Sequence, residues 1–316
     1  MTFLSLFNQE KLVLEDITNL DFTTVIWIAA PIMFAFVFIE YLIGRKQNKN
    51  LYTGKDFLAS LTIGLVNVGL NGFMKIGMFI IFLFFFNLAP FRIPSTWWSF
   101  VLCLIVLDFC RYWAHRIAHE QRFWWSTHVV HHSSEHYNLS VSFRLSWTQN
   151  LKIVFFLPVI LLGFDPLIFF IAHQVEVLYQ FWIHTELIRK LPAPIEYIFT
   201  TPSHHRVHHS VNEKYIDKNY GSTFIIWDRM FGTFMEEDEQ PVYGITKPVN
   251  SFNPVYLVFH EWMEVGKDII RARSIKEAWT ILFGSPVDKH KEDLAKMNTL
   301  KVSSKNDSQS DKKKRA

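Results

Sequence analysis

The residues in this chain whose types and spacing could do chemistry are histidines. The pattern HxxHH occurs twice, as HVVHH at 128–132 and HRVHH at 205–209, and a third pair, HRIAH, precedes them at 115–119. With 14 His in 316 residues, a random HxxHH is expected roughly 0.03 times, so the repetition is a signal in itself. On a helix, His115 and His119 share a face, as do His128 with His132 and His205 with His209. His131 and His208 lie about 100° round from their neighbours, so each HxxHH can address two metal ions at once. Neutral imidazole suits Fe, Zn or Cu, and so many His without Cys exclude iron–sulfur clusters and finger-type zinc. Eight or more His ligands imply two metals. His119 is followed by Glu120, but Phe stands at 123 where HExxH needs its second His, so a zinc protease fails on spacing. Haem takes one or two axial His per iron and leaves His131/His132 and His208/His209 unexplained. A binuclear iron site that activates oxygen uses them all, although zinc fits the same donors.

The elements that must position these rings are apolar. Half of the residues are hydrophobic, with 31 Phe and 11 Trp, too much clustered apolar side chain for an ordinary domain in water. Lipid is the expected solvent. Residues 23–44 carry one acid, Glu40, and are long enough to cross a hydrocarbon core of about 30 Å. Residues 57–92, interrupted near Asn71, Gly72 and Lys75, read as a hairpin of two segments or as one span plus a re-entrant piece. Residues 97–114 are a further span, and 151–183 reads as two segments joined by a turn at GFDP, 163–166. The fold class is all-α, a multi-span transmembrane bundle carrying a cytoplasmic, histidine-rich di-metal cap.

The domain division follows: an N-terminal segment 1–22, N-terminal spans 23–96, the histidine-bearing domain 97–235, a C-terminal cap with an amphipathic helix 236–286, and a disordered basic tail 287–316. Within the cap, 255–283 shows helical periodicity through Leu257, Phe259, Trp262, Val265 and Ile269. Arg45, Lys46, Lys49 and Lys55 follow the first span and place residues 45–55 in the cytoplasm. Arg111, Arg116, Arg122, Arg189 and Arg206 flank the histidines and point to the same side. Three full crossings between 55 and 115 would put the two on opposite sides, so one of those stretches should not span completely. No cleaved signal peptide is evident in the first 20 residues. The protein is read as multi-pass, in a bacterial inner membrane or the endoplasmic reticulum; the terminal KKRA fits a dilysine retrieval pattern, and the KKKR cluster reads as solvated. Cys103 and Cys110 read as buried thiols. The net charge of +3 owes much to the tail, and nothing points to nucleic acid.

Ligating histidines need acceptors for their second ring nitrogen. Asp108 lies seven residues before His115, on the same helical face, and an ionisable group in an apolar span is a functional candidate, here as ligand support or proton relay against a plain pair with Arg111. Glu120, Glu135, Glu176 and Glu186 compete for similar roles. Tyr112 and Asn138 are oxygen-side or substrate contacts, or interface packing. The tryptophans Trp124, Trp125, Trp182 and Trp227 read as an interfacial belt or core.

The motifs HRxxH, HxxHH and a second HxxHH on a multi-span chain resemble the fatty acid hydroxylase and sterol desaturase superfamily of membrane di-iron oxygenases. Within it, HRIAHE at 115–120, HVVHHSSEHYNLSVSFR at 128–144, FWIHTE at 181–186, TPSHHRVHHSVNEKYIDKNYG at 201–221 and WDRMFGTF at 227–234 are similar to the alkylglycerol monooxygenase group and its bacterial relatives. The resemblance covers about residues 97–235. It implies metal ligands at His115, His119, His128, His131, His132, His205, His208 and His209, with His184 as a further one. His204 is an alternative to His205, because HHRVHH offers two registers, and His136 stands where such relatives carry an acid. Asp108, Glu120 and Glu186 are the carboxylates expected to assist catalysis. The implied chemistry is hydroxylation of a lipid alkyl C–H by O2 at two Fe, with ether cleavage in the alkylglycerol branch, where tetrahydrobiopterin supplies the electrons. No GxGxxG marks a nucleotide site here, so the donor is a pterin or a separate reductant. The alternatives are a sterol, carotenoid or fatty-acyl hydroxylase or desaturase with the same core, and, from another class, a His-rich metal transporter. Transport needs ligands spread along a path through the membrane, whereas these gather at segment ends.

Overall fold

The computed structural model describes residues 23–288. The segment 1–22 and most of the basic tail, with its KKKR and KKRA strings, lie outside the described residues. Among those described, every regular element is a helix, and pairing is confined to two isolated bridges, Phe199 with Phe224 and Ser210 with Tyr243.

Three long helices open the chain: α1 (Thr23–Lys46), α2 (Gly54–Leu88) and α3 (Trp97–Glu120). Stretches within all three, Ile28–Lys46, Gly54–Met74 and Trp97–Glu120, are long and apolar enough to cross a membrane. Their outward side chains include Phe38 at 60%, Leu58 at 61%, Phe73 at 86% and Trp97 at 81% exposure. So much bare apolar surface calls for lipid rather than water.

The expected break near Asn71 and Gly72 is absent: α2 is one helix of 35 residues, about 52 Å at 1.5 Å per residue. The physical reason is that its polar side chains find partners without disturbing the backbone. Asn71 Nδ2 donates to Asn67 Oδ1 one turn back (2.7 Å), and Asn150 Nδ2 donates to Asn71 Oδ1 (2.9 Å). No proline interrupts the run. The single long α2 is followed by α3, whose C-terminal end carries His115 and His119.

The turn expected at GFDP is present. Gly163 has φ +84°, and a Cβ there would lie 2.3 Å from the Phe91 carbonyl oxygen, which leaves glycine as the residue that fits. Before it come a 3-10 stretch, Gln149–Phe155, and α6 (Leu157–Leu161); after it α7 (Pro166–Trp182), capped by Asp165, which accepts from the Leu167 amide at 2.7 Å. A core of Phe82, Phe86, Leu107, Phe164 and Phe169 joins α2, α3, α6 and α7. Arg111 on α3 pairs with Glu176 on α7 at 2.6 Å.

The short helices α4 (Arg122–Trp125), α5 (Val129–His132), α8 (Ala193–Ile198), α9 (Pro202–His208) and α10 (Ile226–Phe231) build the cap, and α11 (Pro254–Arg271) with α12 (Ile275–Phe283) wraps it. The periodicity seen over 255–283 thus resolves into two helices, the second started by Ser274, which accepts from the Glu277 amide. Leu257 and Val258 of α11 pack on Ala59 and Ile63 of α2. Arg122 holds α11 through Glu261 at 2.7 Å and Asp268 at 2.6 Å.

Buried polar ties weld the helix ends to the cap. Glu40 accepts from the Leu139 amide at 2.8 Å and from the hydroxyls of Tyr52 and Thr185. Arg144, 1% exposed, pairs with Asp56 and donates to Ser60 Oγ (2.8 Å) and Ser133 Oγ (2.9 Å). Truncating one partner leaves a buried charge alone, at a cost of about 3–5 kcal/mol. Asp56→Ala is therefore expected to lower the thermal midpoint of the purified protein sharply, whereas Glu120→Ala, at an exposed pair, leaves it nearly unchanged; equal midpoints for both would contradict this account.

Candidate metal centre

The histidine rings converge on two adjoining points. His115, His119, His128, His132 and His208 form one cluster and His131, His184, His205 and His209 the other, the ligand atoms within each lying within 4.8 Å of one another. Each HxxHH divides as the helical geometry requires: His128 and His132 face the first point and His131 the second, while His205 and His209 face the second and His208 the first. The clusters abut where His132 and His209 stack, with ring centroids 4.2 Å apart.

In three of the rings the nitrogen turned inward carries no proton. His115 Nδ1 faces the Tyr220 carbonyl at 2.8 Å, His208 Nδ1 that of Lys218 at 3.1 Å, and His184 Nδ1 that of Gln180 at 2.7 Å. A carbonyl can only accept, so in each of these neutral rings Nδ1 holds the hydrogen and Nε2 presents a bare lone pair to the centre. His115 Nε2 then lies 2.9 Å from His128 Nε2, and His205 Nε2 lies 3.0 Å from His184 Nε2. Nε2 of both His119 and His208 is buried without a hydrogen-bond partner. Converging, orphaned imidazole nitrogens are a donor set that a metal cation satisfies. Burial pushes His128, His131, His132, His205 and His209 well below the usual imidazole range, and brings His184 down to about 3 and His208 to about 4. The rings are neutral at pH 7, the form that ligates.

His204 stands outside both clusters. Its Nε2 faces Glu196 Oε2 at 3.0 Å, and Ser203 and Thr201 donate to the same carboxylate at 2.7 and 2.8 Å. Burial alone would raise Glu196, but the hydrogen bonds from His204, the Leu191 amide and Ser203 bring it down to about 2. The register HHRVHH is thus resolved: His205 joins the second cluster and His204 braces α8 against α9. His136 is likewise outside both.

The three expected carboxylates are placed differently from one another. Glu120 is on the surface, paired with Arg116 at 2.8 Å. Glu186 borders an open cavity of about 860 Å³ together with Glu135 and Tyr243. Asp108 is fully buried and saturated: it accepts from the Thr223 amide (2.8 Å), the Phe224 amide (3.1 Å) and Trp227 Nε1 (2.9 Å). It pins to α3 the loop whose Tyr220 carbonyl orients His115. Glu176, the partner of Arg111, lies on α7 and belongs to neither cluster.

Several contributors had no distinct sequence signal. The carbonyls that aim the rings belong to Tyr220, Lys218 and Gln180, where side-chain identity is irrelevant. Asp228, inside the string WDRMFGTF, accepts from the Tyr220 and Gly221 amides at 2.8 and 2.7 Å and from Thr233 Oγ1 at 2.6 Å. Gly221 is required by close approach, since a Cβ would meet Phe224 O at 2.6 Å. Asp217 brings a carboxylate oxygen to 4.0 Å from His119 Nδ1. A second cavity, of about 80 Å³, opens directly on His119, His132, His208 and His209, and so on both clusters.

Comparison with known proteins agrees with this geometry. Residues 100–233, which hold all nine clustered histidines, match the fatty acid hydroxylase family. The chain is 43% identical over 201 residues to an alkylglycerol monooxygenase of Homo sapiens, covering 64% of this chain and 44% of that protein. It is 40% identical over 235 residues to the alkylglycerol monooxygenase of Danio rerio, covering 71% and 51%. A more distant relative is the ornithine lipid hydroxylase OlsE of Rhizobium tropici, 33% identical over 153 residues, covering 45% and 44%. The chain spans about half the length of these relatives, and no solved structure matches it. The segment that carries the histidine clusters, residues 100–233, is a fatty acid hydroxylase family domain.

Proposed function

We propose that the protein is a membrane-bound lipid oxygenase that uses O2 to hydroxylate an alkyl C–H, and that it acts on ether lipids in the manner of an alkylglycerol monooxygenase. The observation that carries this reading is the pair of abutting histidine clusters, nine rings whose nitrogens converge on two points, at the end of helices able to cross a membrane. His115, His119, His128, His132 and His208 would hold one iron, and His131, His184, His205 and His209 the other. Bound there, the metals supply the redox chemistry that splits O2. Four electrons balance the step: two come from the substrate C–H, which becomes C–OH, and two with two protons from an external reductant, so that the second oxygen leaves as water. Next to an ether oxygen the product is a hemiacetal, which collapses to an aldehyde and a free hydroxyl on the glycerol.

The chain's own residues aim and insulate. Carbonyls of Tyr220, Lys218 and Gln180 fix three rings, and Asp108 and Asp228 hold the loop that carries the first of those carbonyls. The reductant is a tetrahydropterin or a separate donor, with the 860 Å³ cavity beside Glu135 and Glu186 as a solvent-side approach. Arg45, Lys46, Lys49 and Lys55 lie at the end of α1 and α2 that touches the cap, which by the positive-inside rule turns the metal centre to the cytoplasm of a multi-pass protein. Clustering at one end, rather than along the helices, disfavours a transporter.

The ligand assignment has a direct test. In the purified protein, His131→Ala and His208→Ala are each expected to reduce bound iron below two per chain and to bring incorporation of ¹⁸O₂ into a hexadecyl glyceryl ether to background. His204→Ala should keep two irons while lowering the thermal midpoint. Full activity in either ligand variant, or iron loss in His204→Ala as large as theirs, refutes the assignment.

The neutral rings set a pH dependence for the metal-free protein. Their folded values lie below the unfolded 6.5, so as pH falls through that value the unfolded chain takes up protons first and stability is lost. The midpoint of metal-free protein should hold steady from pH 8 to about 7 and fall progressively down to pH 4. A midpoint that rises on acidification would show that the rings are not buried as described.

A further inference from the structure

The smaller cavity has a composition that the oxygenase reading does not by itself explain. Its floor is His119, His132, His208 and His209, three rings from one cluster and one from the other. Its walls are apolar at Trp125, Ile216, Ile245, Pro286 and Val287, and polar at Ser210, Asp217 and Thr246. Water and oxygen need no such lining, and a histidine floor gains nothing from hydrocarbon walls unless hydrocarbon is to lie on it. The volume, about 80 Å³, is room for a short run of methylene groups rather than for a whole lipid.

The walls come from separate parts of the cap. Trp125 ends α4, Ile216 precedes the loop that orients His208 and His115, and Pro286 and Val287 follow α12. That last piece is fixed in place, since the Arg122 amide donates to the Gly284 carbonyl at 3.0 Å. α12 joins α11, and α11 buries Leu257 and Val258 against Ala59 and Ile63, which lie inside the Gly54–Met74 span. The rim of the cavity is therefore linked through α12 and α11 to a helix long and apolar enough to cross a membrane. Ile275 and Trp279 of α12 are exposed apolar side chains, at 90% and 65% exposure, on the helix that precedes Pro286 and Val287. The larger cavity is set apart from the smaller by Val211 and the strip Gly244–Thr246, which border both. It has Glu135 and Glu186 on its own side, while Asp217 brings one carboxylate to the smaller cavity.

We infer that the reacting segment of the substrate's alkyl chain lies in this smaller cavity, entering past Pro286 and Val287, and that Trp125, Ile216, Ile245 and Val287 are the residues that position it over the two clusters. The inference rests on the lipid-oxygenase reading for its chemistry, while the binding it asserts can be measured without turnover.

The test uses the full chain, loaded with iron, in lipid nanodiscs. Val287→Trp and Ile245→Trp, which fill the cavity, are expected to keep the wild-type iron content and to lower kcat/KM for hexadecylglycerol at least tenfold. Val287→Cys gives a readout independent of catalysis, because the native Cys103 and Cys110 are buried and react slowly with a thiol reagent. Hexadecylglycerol should slow labelling of the new thiol severalfold, and glycerol alone should not. Labelling at the same rate with and without hexadecylglycerol overturns the assignment, as do both Trp variants turning over within twofold of wild type. If hexadecylglycerol protects the Val287→Cys thiol yet wild-type protein incorporates no ¹⁸O, the oxygenase reading fails and the cavity assignment stands.

Discussion

Nine imidazoles can share a buried centre only if every one of them is neutral and turned the right way. A charged ring there would face its neighbours across about 3–5 Å in a poorly solvated interior, and a misturned ring would put N–H against N–H. Burial enforces the first condition and backbone carbonyls the second, by fixing the hydrogen on Nδ1 of His115, His208 and His184. The support runs in a loop: Asp108 on α3 holds the amides of Thr223 and Phe224, Asp228 holds those of Tyr220 and Gly221, and the Tyr220 carbonyl then aims His115, which is on α3 again. Asp108 acts on the metal site through two intermediaries and never touches it.

The same centre explains why the strongest polar ties sit at one end of the helices. Apolar faces of α1 and α2 give no rotational preference in lipid, since every outward Phe or Leu is equally at home there. Direction comes from buried polar groups: Glu40 binding Leu139 and Thr185, Asp56 binding Arg144, and Asn138 donating to the Leu51 carbonyl at 2.6 Å. Thr185 follows His184, and Ser133 and Ser134, which touch the Asp56–Arg144 pair, follow His132. The anchors therefore set the orientation of the helices and the position of the ligands together.

Much of this was legible in the sequence, for a definable reason. Ligand identity is a matter of residue type and spacing, and the 3.6-residue period already divides each HxxHH between two points, as the structure does. The turn at GFDP and the all-helical class were legible on the same local grounds. What escaped was decided by partners distant in sequence. Asn71, with Gly72 and Lys75, looked like a helix break because it interrupts an apolar stretch, and its side chain is held by Asn150, far along the chain, as well as by Asn67. His204 and His205 are equivalent in the string HHRVHH, and only Glu196, on a different helix, separates them. Asp108 stood out as a buried acid in an apolar run, yet its role, holding amides of a loop more than a hundred residues on, is invisible to spacing.

An all-imidazole donor set has an electrostatic consequence. Nine neutral ligands would cancel none of the charge of two divalent cations held there, and the surrounding dipoles would have to offset it. The carbonyls behind His115, His208 and His184 point their negative ends at the ring hydrogens and do part of this. Asp217, near His119, is the nearest side chain able to do more: burial and then the neighbouring Glu120 push it up to about 6 without a metal. A cation in the first cluster would draw it back to the ionised form. That places a carboxylate beside the five-histidine cluster, whereas the four-histidine cluster, His131, His184, His205 and His209, includes no carboxylate among the described residues. Two sites built from the same residue type are thereby made unequal, and the inequality comes from a loop residue rather than from any ligand.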